Sequence, residues 1–259
     1  MAGAINLNAD IAESYGAWQI GDDATLIRQI ASANVACGFH GGDWNTMYRF
    51  CRLARDLGVS IGAHPGFNDL WGFGRRQIKM EPDDIERMVA YQIGALQAIA
   101  RYADLPVTHL KAHGALANMA AVDRNYALPI ARAVKVVDPS LIYVAQVGTE
   151  LERTAQELGL RIAREGFADR QYEDDLTLVP RSKPGSVFRD PETAAAQALR
   201  MVTDGVVVTR SGKLVPIAVD TVCIHGDEPT GVAVATAVRK ALEGAGVRIV
   251  TLPALLSER

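Results

Sequence analysis

Two segments alternate polar and apolar residues so strictly that each reads as a β-strand with one polar row. In Ile5 to Asp10 (INLNAD), Asn6, Asn8 and Asp10 share one face, while Ile5, Leu7 and Ala9 share the other. In Val107 to His113 (VTHLKAH), the polar face carries His109, Lys111 and His113, backed by Thr108, Leu110 and Ala112. Three ionisable groups on one strand face suit the lining of a pocket better than a packed core or a solvated edge. Gly114 then breaks the strand.

The rest of the pattern predicts strands and helices in alternation. Asp22 or Asp23 caps a helix over about 24–32, and Ala33 to His40 (ANVACGFH) reads as a small-residue strand ending in His40. Asp43 caps the next helix and Gly58 stops it; Val59 to His64 (VSIGAH) is a third strand with His at its C-terminal end. The loop PGFNDLWGFGRR, with its paired Arg75 and Arg76, reads either as a mobile or ligand-covering loop or as a plain structural connection. An apolar stripe through Ile85, Met88, Val89, Ile93, Leu96 and Ile99 predicts a long helix from Pro82 to about Tyr102. A helix over 127–137, strand 141–147, helix 149–158 and strand 160–165 follow. The stretch from Gly166 to Phe188 is too long for an ordinary connection and carries Asp169, Arg170, Arg181 and Lys183, so it is expected to be functional. Asp190 opens a helix to about 203, a hairpin spans 206–217, and Asp220 to His225 (DTVCIH) is a strand closing on Gly226 and Asp227. A helix over 230–243 and a short strand over 247–250 finish the chain.

Strands followed by helices argue for a parallel sheet. An open doubly wound sheet buries both strand faces and wants continuous apolar strands. Polar rows on several strands instead fit a barrel whose lumen opens into a site. The expected fold is therefore a distorted TIM-like (β/α) barrel of about seven parallel strands, one domain over 1–259, with its polar strand ends at the C-terminal mouth.

Composition narrows the function. The 259 residues are 49% hydrophobic and 22% charged, ample for a core, with a net charge of -3 and no basic run. Nucleic acid and anionic membranes are thus unexpected partners. No apolar run is long enough for a transmembrane helix, and the N-terminal stretch lacks a signal-peptide pattern. Cys37, Cys51 and Cys223, odd in number and without CxxC spacing, fit reduced thiols in a cytoplasm.

Of five histidines, His40, His64, His113 and His225 sit at the end of an expected strand, before Gly or Pro; His109 lies deeper. One such His is more often structural, but four converging with Asp10, Asp43, Lys111 and Asp227 make a site. The mixture could bind a divalent metal or serve as general acid and base, and spacing does not separate the two. Cys37 and His40 mimic a C-x2-H pair but fall on opposite strand faces. Cys223 shares a face with His225, as a packed small residue or a thiol near the site. No Walker A loop and no GxGxxG occurs, so the chain has no recognisable nucleotide cradle.

Taken together, NLNAD (Asn6 to Asp10), SANVACGFHGGD (Ser32 to Asp43), IGAHPGF (Ile61 to Phe67), FGRR (Phe73 to Arg76), HLKAHGAL (His109 to Leu116), FADRQY (Phe167 to Tyr172), LVPR (Leu178 to Arg181) and TVCIHGD (Thr221 to Asp227) resemble the LamB/YcsF family, the A subunits of bacterial ATP-dependent 5-oxoprolinase. The resemblance implies a barrel of the glycoside hydrolase/deacetylase type, working with two partner subunits, B and C, to open 5-oxo-L-proline to L-glutamate. It implies ATP as co-substrate, bound with the partners' participation, and leaves a divalent metal open. The family usually has Asp at Asn6, Gly at Ala12, and KPHGALYN where this chain has KAHGALAN (Lys111 to Asn118).

A lactam is a poor electrophile, and phosphorylating its oxygen from ATP would turn that oxygen into a leaving group. Such a site needs a base for water, a cation for developing negative charge and an anchor for the substrate carboxylate. Asp10, His64, Lys111 and His113 are the expected catalytic residues: Asp10, His64 or His113 as base, Lys111 stabilising charge. Arg170 or Arg181 is the expected carboxylate anchor. Asn8, His40, Asp43, Arg76, Asp169, His225 and Asp227 complete the expected binding set. The rival is a metal-dependent deacetylase or hydrolase acting without ATP, in which Asp10, His64 and His113 hold the ion.

Overall fold

A computed structural model describes residues 3–226 and 229–258. Its strands in chain order are β1 (Ala4–Ile11), β2 (Ser32–Ala36), β3 (Ser60–His64), β4 (Val107–Leu110), β5 (Ile142–Gln146), β6 (Arg161–Phe167), β7 (Val206–Val208), β8 (Leu214–Pro216), β9 (Thr221–Ile224) and β10 (Arg248–Ile249). β1 through β6 and β9 are parallel neighbours in that order, and β1 pairs with both β2 and β9, so seven strands close a barrel. β7 and β8 form an antiparallel hairpin outside it, and β10 extends β1 at its N-terminal end. The expected barrel and strand count are what the structure has.

Strand alternation divides the barrel wall. Leu7, Ala9, Ile11, Val35, Ile61, Ala63, Leu110 and Val222 are fully buried against the surrounding helices. These are α1 (Asp23–Leu26), α2 (Trp44–Leu57), α3 (Pro82–Arg101), α4 (Gly114–Val122), α5 (Arg124–Val137), α6 (Glu150–Glu157), α7 (Pro191–Thr203), α8 (Gly231–Gly244) and α9 (Leu252–Ser257). Their ends follow local chemistry. Asp43 caps α2 by accepting from the backbone N–H of Asn45 and Thr46, and Gly58 ends it at φ 69°. Pro82 opens α3, which buries Ile85, Met88, Val89, Ile93 and Leu96.

The opposite strand faces fill the lumen with polar side chains in layers. In the lowest, Asn6 donates to Ser32 Oγ at 2.8 Å and to Val250 O at 2.7 Å, while Thr221 Oγ1 donates to Asn6 Oδ1 at 2.7 Å. Above it, Asn8 donates to Glu165 Oε1 at 3.0 Å, and Asn34 donates to Asn8 Oδ1 at 2.7 Å and to Asp10 Oδ1 at 2.9 Å. His109 Nε2–H donates to Asn34 Oδ1 at 3.2 Å. Its ring fills the space beside Gly62, where any Cβ would collide with the imidazole. α9 plugs the bottom: Leu252 packs on the lumenal Ile142, Val144 and Ala163.

Several expected boundaries shift. β2 ends at Ala36, so His40 sits in the turn beyond it, which Gly38 (φ 92°) and Gly42 (φ 75°) fold back over the mouth. β4 ends at Leu110, yet Lys111 N and His113 N continue the ladder to Ala63 O (2.9 Å) and Pro65 O (2.8 Å), which preserves the alternation. Gly114 opens α4, a helix absent from the sequence expectation, as was α9. Both are short and mostly apolar, so no 3.6-residue polar face marked them. The helix expected over 24–32 is only α1 followed by a 3-10 turn.

Leu252→Ala would open a cavity under the lumen without touching the mouth. Urea unfolding should show a loss of about 2–5 kcal/mol, as for other fully buried leucines; a loss below about 1 kcal/mol would mean that α9 does not seal the barrel.

Candidate active site

The polar rows rise to one cluster at the C-terminal mouth. Lys111 Nζ lies 2.9 Å from Asp10 Oδ1, 3.1 Å from Glu165 Oε1 and 2.9 Å from Cys223 Sγ. Burial opposes charge on Lys111, but Asp10, Cys223 and Glu165 outweigh it and hold its pKa well above the ordinary lysine value. Burial likewise works against ionised Asp10, yet His64 and Lys111 pull its pKa well below the usual carboxylate range. Glu165 goes the other way: burial outweighs the lysine and raises it. The centre is therefore an ammonium–carboxylate pair with a second, more easily protonated carboxyl beneath it.

Three imidazoles stand above this pair. His64 Nδ1–H donates to Lys111 O at 2.7 Å, and its Nε2 lies 3.2 Å from Asp10 Oδ2. His113 Nε2–H donates to Phe73 O at 2.8 Å, and its Nδ1 lies 3.1 Å from His64 Nε2. His40 stacks on His113 with ring centroids 3.6 Å apart and planes 2° from parallel, and its Nε2 meets Glu13 Oε1 at 3.1 Å. Burial, with neighbouring imidazoles adding to it, drives the pKa values of His40 and His113 well below the ordinary histidine value. Deeper in the lumen, burial and then Lys111 push His109 down to about 3. His40, His109 and His113 are therefore neutral at neutral pH.

Asp10, His64, Lys111 and His113 thus meet in one cluster, with His40 beside them and Asn8 one layer below. His225 and Asp169 form a neighbouring pair: His225 Nδ1–H donates to Asp169 at 2.9 Å, and the imidazole stacks on Phe167. Burial works against ionised Asp169, but His225 and Arg181 lower its pKa. Other residues take up local duties. Asp43 caps α2 and accepts from Gly16 N at 2.9 Å. Arg76 is held by Asp69 on the loop after β3, its side chain 66% exposed. Arg170 is buried and donates to Ser186 O at 3.3 Å and Val179 O at 2.7 Å, pinning the long loop after β6. Asp227 lies outside the described residues.

Asp10, Cys223 and His225 also converge closely enough to hold an ion. The Lys111 ammonium, within 2.9 Å of both Asp10 and Cys223, occupies that space with the wrong charge.

Glu13, Glu165 and Asn34 belong to the centre but escaped the sequence. Glu165 had a signal, since alternation through Arg161 and Ala163 puts it on the lumenal face of β6. Glu13 had none: Ala12 at φ 59° reverses the local alternation and turns Glu13 inward.

A closed parallel barrel that brings an ammonium, carboxylates and imidazoles to its C-terminal mouth is a (β/α)-barrel protein with the site layout of barrel enzymes. The model of the LamB/YcsF family matches residues 5–257, and the chain belongs to that family. A protein of Rhodopseudomonas palustris (strain BisB18), named as the A subunit of 5-oxoprolinase, is 52% identical over 246 residues, covering 95% of this chain and 96% of that one. The crystal structure of the lactam utilization protein of Thermus thermophilus superposes with a TM-score of 0.92 at 47% identity, covering 96% of this chain and all of that one. A structure of T48 deacetylase is 16% identical with a TM-score of 0.50 over 99% of this chain and 92% of that one, which shows a shared fold alone.

Asp23, at the edge of the mouth, gives the site a pH signature. Burial outweighs the hydrogen bond from Ala12 N and raises its pKa from 3.8 to about 7. Its folded-state pKa lies above the unfolded one, so its contribution to stability is fully present below about pH 4 and is lost as pH rises through about 7. Asn can still accept from Ala12 N. Asp23→Asn should therefore flatten the fall in urea midpoint between pH 4 and 7; an unchanged slope would place the titration elsewhere.

Proposed function

We propose that this chain is the A subunit of an ATP-dependent 5-oxoprolinase, which hydrolyses the lactam of 5-oxo-L-proline to L-glutamate with cleavage of ATP. The observation that carries this is the buried Lys111–Asp10–His64 centre in a chain half identical to proteins named as the A subunit of 5-oxoprolinase. The lactam oxygen takes a phosphoryl group from ATP, water adds to the activated carbon, the ring nitrogen leaves as the amine, and a second water hydrolyses the resulting acyl phosphate to L-glutamate and phosphate. Asp10, Glu13, His64 and His113 form the acceptor cluster that activates water, and Lys111 opposes the negative charge that develops on oxygen. Lys111 is suited to this because its charge is held in place before substrate arrives. Arg181 anchors the substrate carboxylate, since Arg170 spends donors on loop carbonyls. ATP is a co-substrate shared with two partner subunits, B and C, in the cytoplasm.

The rim of the mouth supports a partner-bound state. All three tryptophans, Trp18, Trp44 and Trp71, are exposed, at 53%, 66% and 84%. They follow β1, β2 and β3, and Trp18 contacts Trp71 at 5.5 Å. Tryptophan is normally well buried, and exposed aromatic clusters mark protein interfaces. Among the described residues no helix is long and apolar enough to cross a membrane, so these rings are not the flank of a helical span.

The purified chain alone should turn over neither 5-oxoproline nor ATP, while the three-subunit mixture should do both in coupled amounts. Robust turnover by the single chain would sink the shared-site assignment. Trp18→Ala with Trp71→Ala should weaken assembly at least about tenfold by sedimentation, as loss of paired aromatic anchors does; unchanged assembly would move the interface elsewhere. Arg181→Lys, tested in the complex, keeps charge but loses the planar fork. It should raise KM for 5-oxoproline about tenfold and leave KM for ATP alone, and a KM for 5-oxoproline equal to that of the unsubstituted complex would remove Arg181 from the site.

A further inference from the structure

The imidazole cluster gathers ligand atoms from four side chains within 4.8 Å of one another. A carbonyl oxygen can only accept, so His64 keeps a proton on Nδ1, facing Lys111 O, and His113 keeps one on Nε2, facing Phe73 O. The two remaining nitrogens, His64 Nε2 and His113 Nδ1, face each other 3.1 Å apart. Around them stand two carboxylate oxygens: Asp10 Oδ2 at 3.2 Å from His64 Nε2 and Glu13 Oε1 at 3.4 Å from His113 Nδ1. All four groups are buried. Four such atoms so close repel unless a positive charge sits in their midst, supplied by a second proton on His64 or by a metal cation.

We propose that Glu13 Oε1, His64 Nε2 and His113 Nδ1 are the ligands of one divalent cation, with Asp10 Oδ2 bordering the site. The donor atoms of Glu13, His40, His64 and His113 all lie within 4.8 Å of one another. A four-coordinate ion with bonds of about 2.1 Å spaces its ligand atoms about 3.4 Å apart, and the separations of 3.1 and 3.4 Å here need little adjustment. The ring planes of His64 and His113 cross at 88°, so both in-plane lone pairs can point at one centre. Each ring is also locked by a hydrogen bond from its other nitrogen to a backbone carbonyl, the arrangement that orients ligating histidines.

His40 is a positioning residue, not a ligand. Its ring lies parallel to His113 at 3.6 Å, and in-plane lone pairs of two parallel rings cannot meet at one ion. His40 Nε2–H donates instead to Glu13 Oε1 at 3.1 Å, holding the carboxylate toward the cluster, and leaves Nδ1 as a buried nitrogen without a partner. Two imidazoles and a carboxylate suit Zn²⁺, Co²⁺ or Mn²⁺ better than Ca²⁺ or Mg²⁺. Three protein ligands leave a position at which the ion would act as a Lewis acid toward water. The site deepens the water-activating role proposed above, but it is tested by ion binding rather than turnover, so the two can fail separately.

The full chain, treated with EDTA and desalted, is titrated with Co²⁺ and followed by visible absorption, then displaced with Zn²⁺. One ion per chain is expected, with the intense band of a four- or five-coordinate site. His64→Gln, His113→Gln and Glu13→Gln should each weaken Co²⁺ binding by about a thousandfold or more, whereas His40→Asn should cost about 10–100-fold, as loss of an orienting partner does. No saturable binding, equal binding in all three ligand variants, or a loss in His40→Asn as deep as in His64→Gln would overturn the assignment. Histidine ¹⁵N spectra of the unsubstituted chain cover the case in which a variant fails to fold. With Zn²⁺ added they should show one metal-shifted nitrogen each on His64 and His113, the other nitrogen still protonated. A doubly protonated His64 that persists in excess Zn²⁺ at neutral pH would overturn it as well.

Discussion

The ion pair between Lys111 and Asp10, 2.9 Å apart inside the barrel, is the constraint around which the rest is arranged. A charge withdrawn from water needs a partner and hydrogen bonds to its remaining atoms, and removing one partner of such a pair costs about 3–5 kcal/mol. Here Glu165 and Cys223 surround the ammonium, while Asn34 donates to Asp10 Oδ1 and His64 Nε2 stands 3.2 Å from Asp10 Oδ2. Because Asn34 also holds Asn8 and His109, the charge at the top is coupled to the layers below it. The lumen is one hydrogen-bonded column drawn from β1, β2, β3, β4, β6 and β9.

That column explains why the strands close into a ring. On an open sheet covered by helices, Asn6, Asn8, Asp10, Asn34, His109 and Lys111 would face apolar side chains and lack partners. Closure turns the same residues toward one another. The departures of this chain from the usual family pattern can be placed on this architecture. Asn6 lies in the lowest layer, bonded to Ser32, Val250 and Thr221, so the missing carboxylate there alters the floor of the barrel and not its reactive end. Ala12, where the family usually has Gly, adopts φ 59°, the backbone conformation that glycine tolerates best, and that turn sends Glu13 into the centre.

The loops over the mouth serve the site in two directions. Inward, Phe73 at φ 53° offers its carbonyl to His113, and Gly74 passes so close to His40 and His113 that a side chain there would clash. Outward, the same loop carries Trp71, which touches Trp18 on the loop after β1. Whatever engages the aromatic rim therefore acts on the segments that cover the imidazoles. This gives a physical route by which a bound partner could control access to the centre.

Strict alternation in INLNAD and VTHLKAH was enough to set the polar faces of β1 and β4, because side-chain period in an extended chain is independent of what surrounds it. It also placed Asp10, Lys111 and His113 on faces that point into one barrel, and the polar rows excluded an open sheet. Family motifs spread over the chain carried the rest of the fold. Other features depended on contacts between residues far apart in sequence. Glu13 entered the centre through a left-handed turn that no alternation reveals, and His40 reached it by folding back beyond the end of β2. Arg170, which sequence offered as a substrate anchor, is buried with its donors on loop carbonyls, since the path of a long loop is set by packing and not by its own residues. The protonated nitrogens of His64 and His113 were likewise decided only when Lys111 O and Phe73 O came within 2.7 and 2.8 Å. A histidine's residue type supplies two nitrogens; which one keeps its proton is settled by the acceptor that the tertiary structure brings to it.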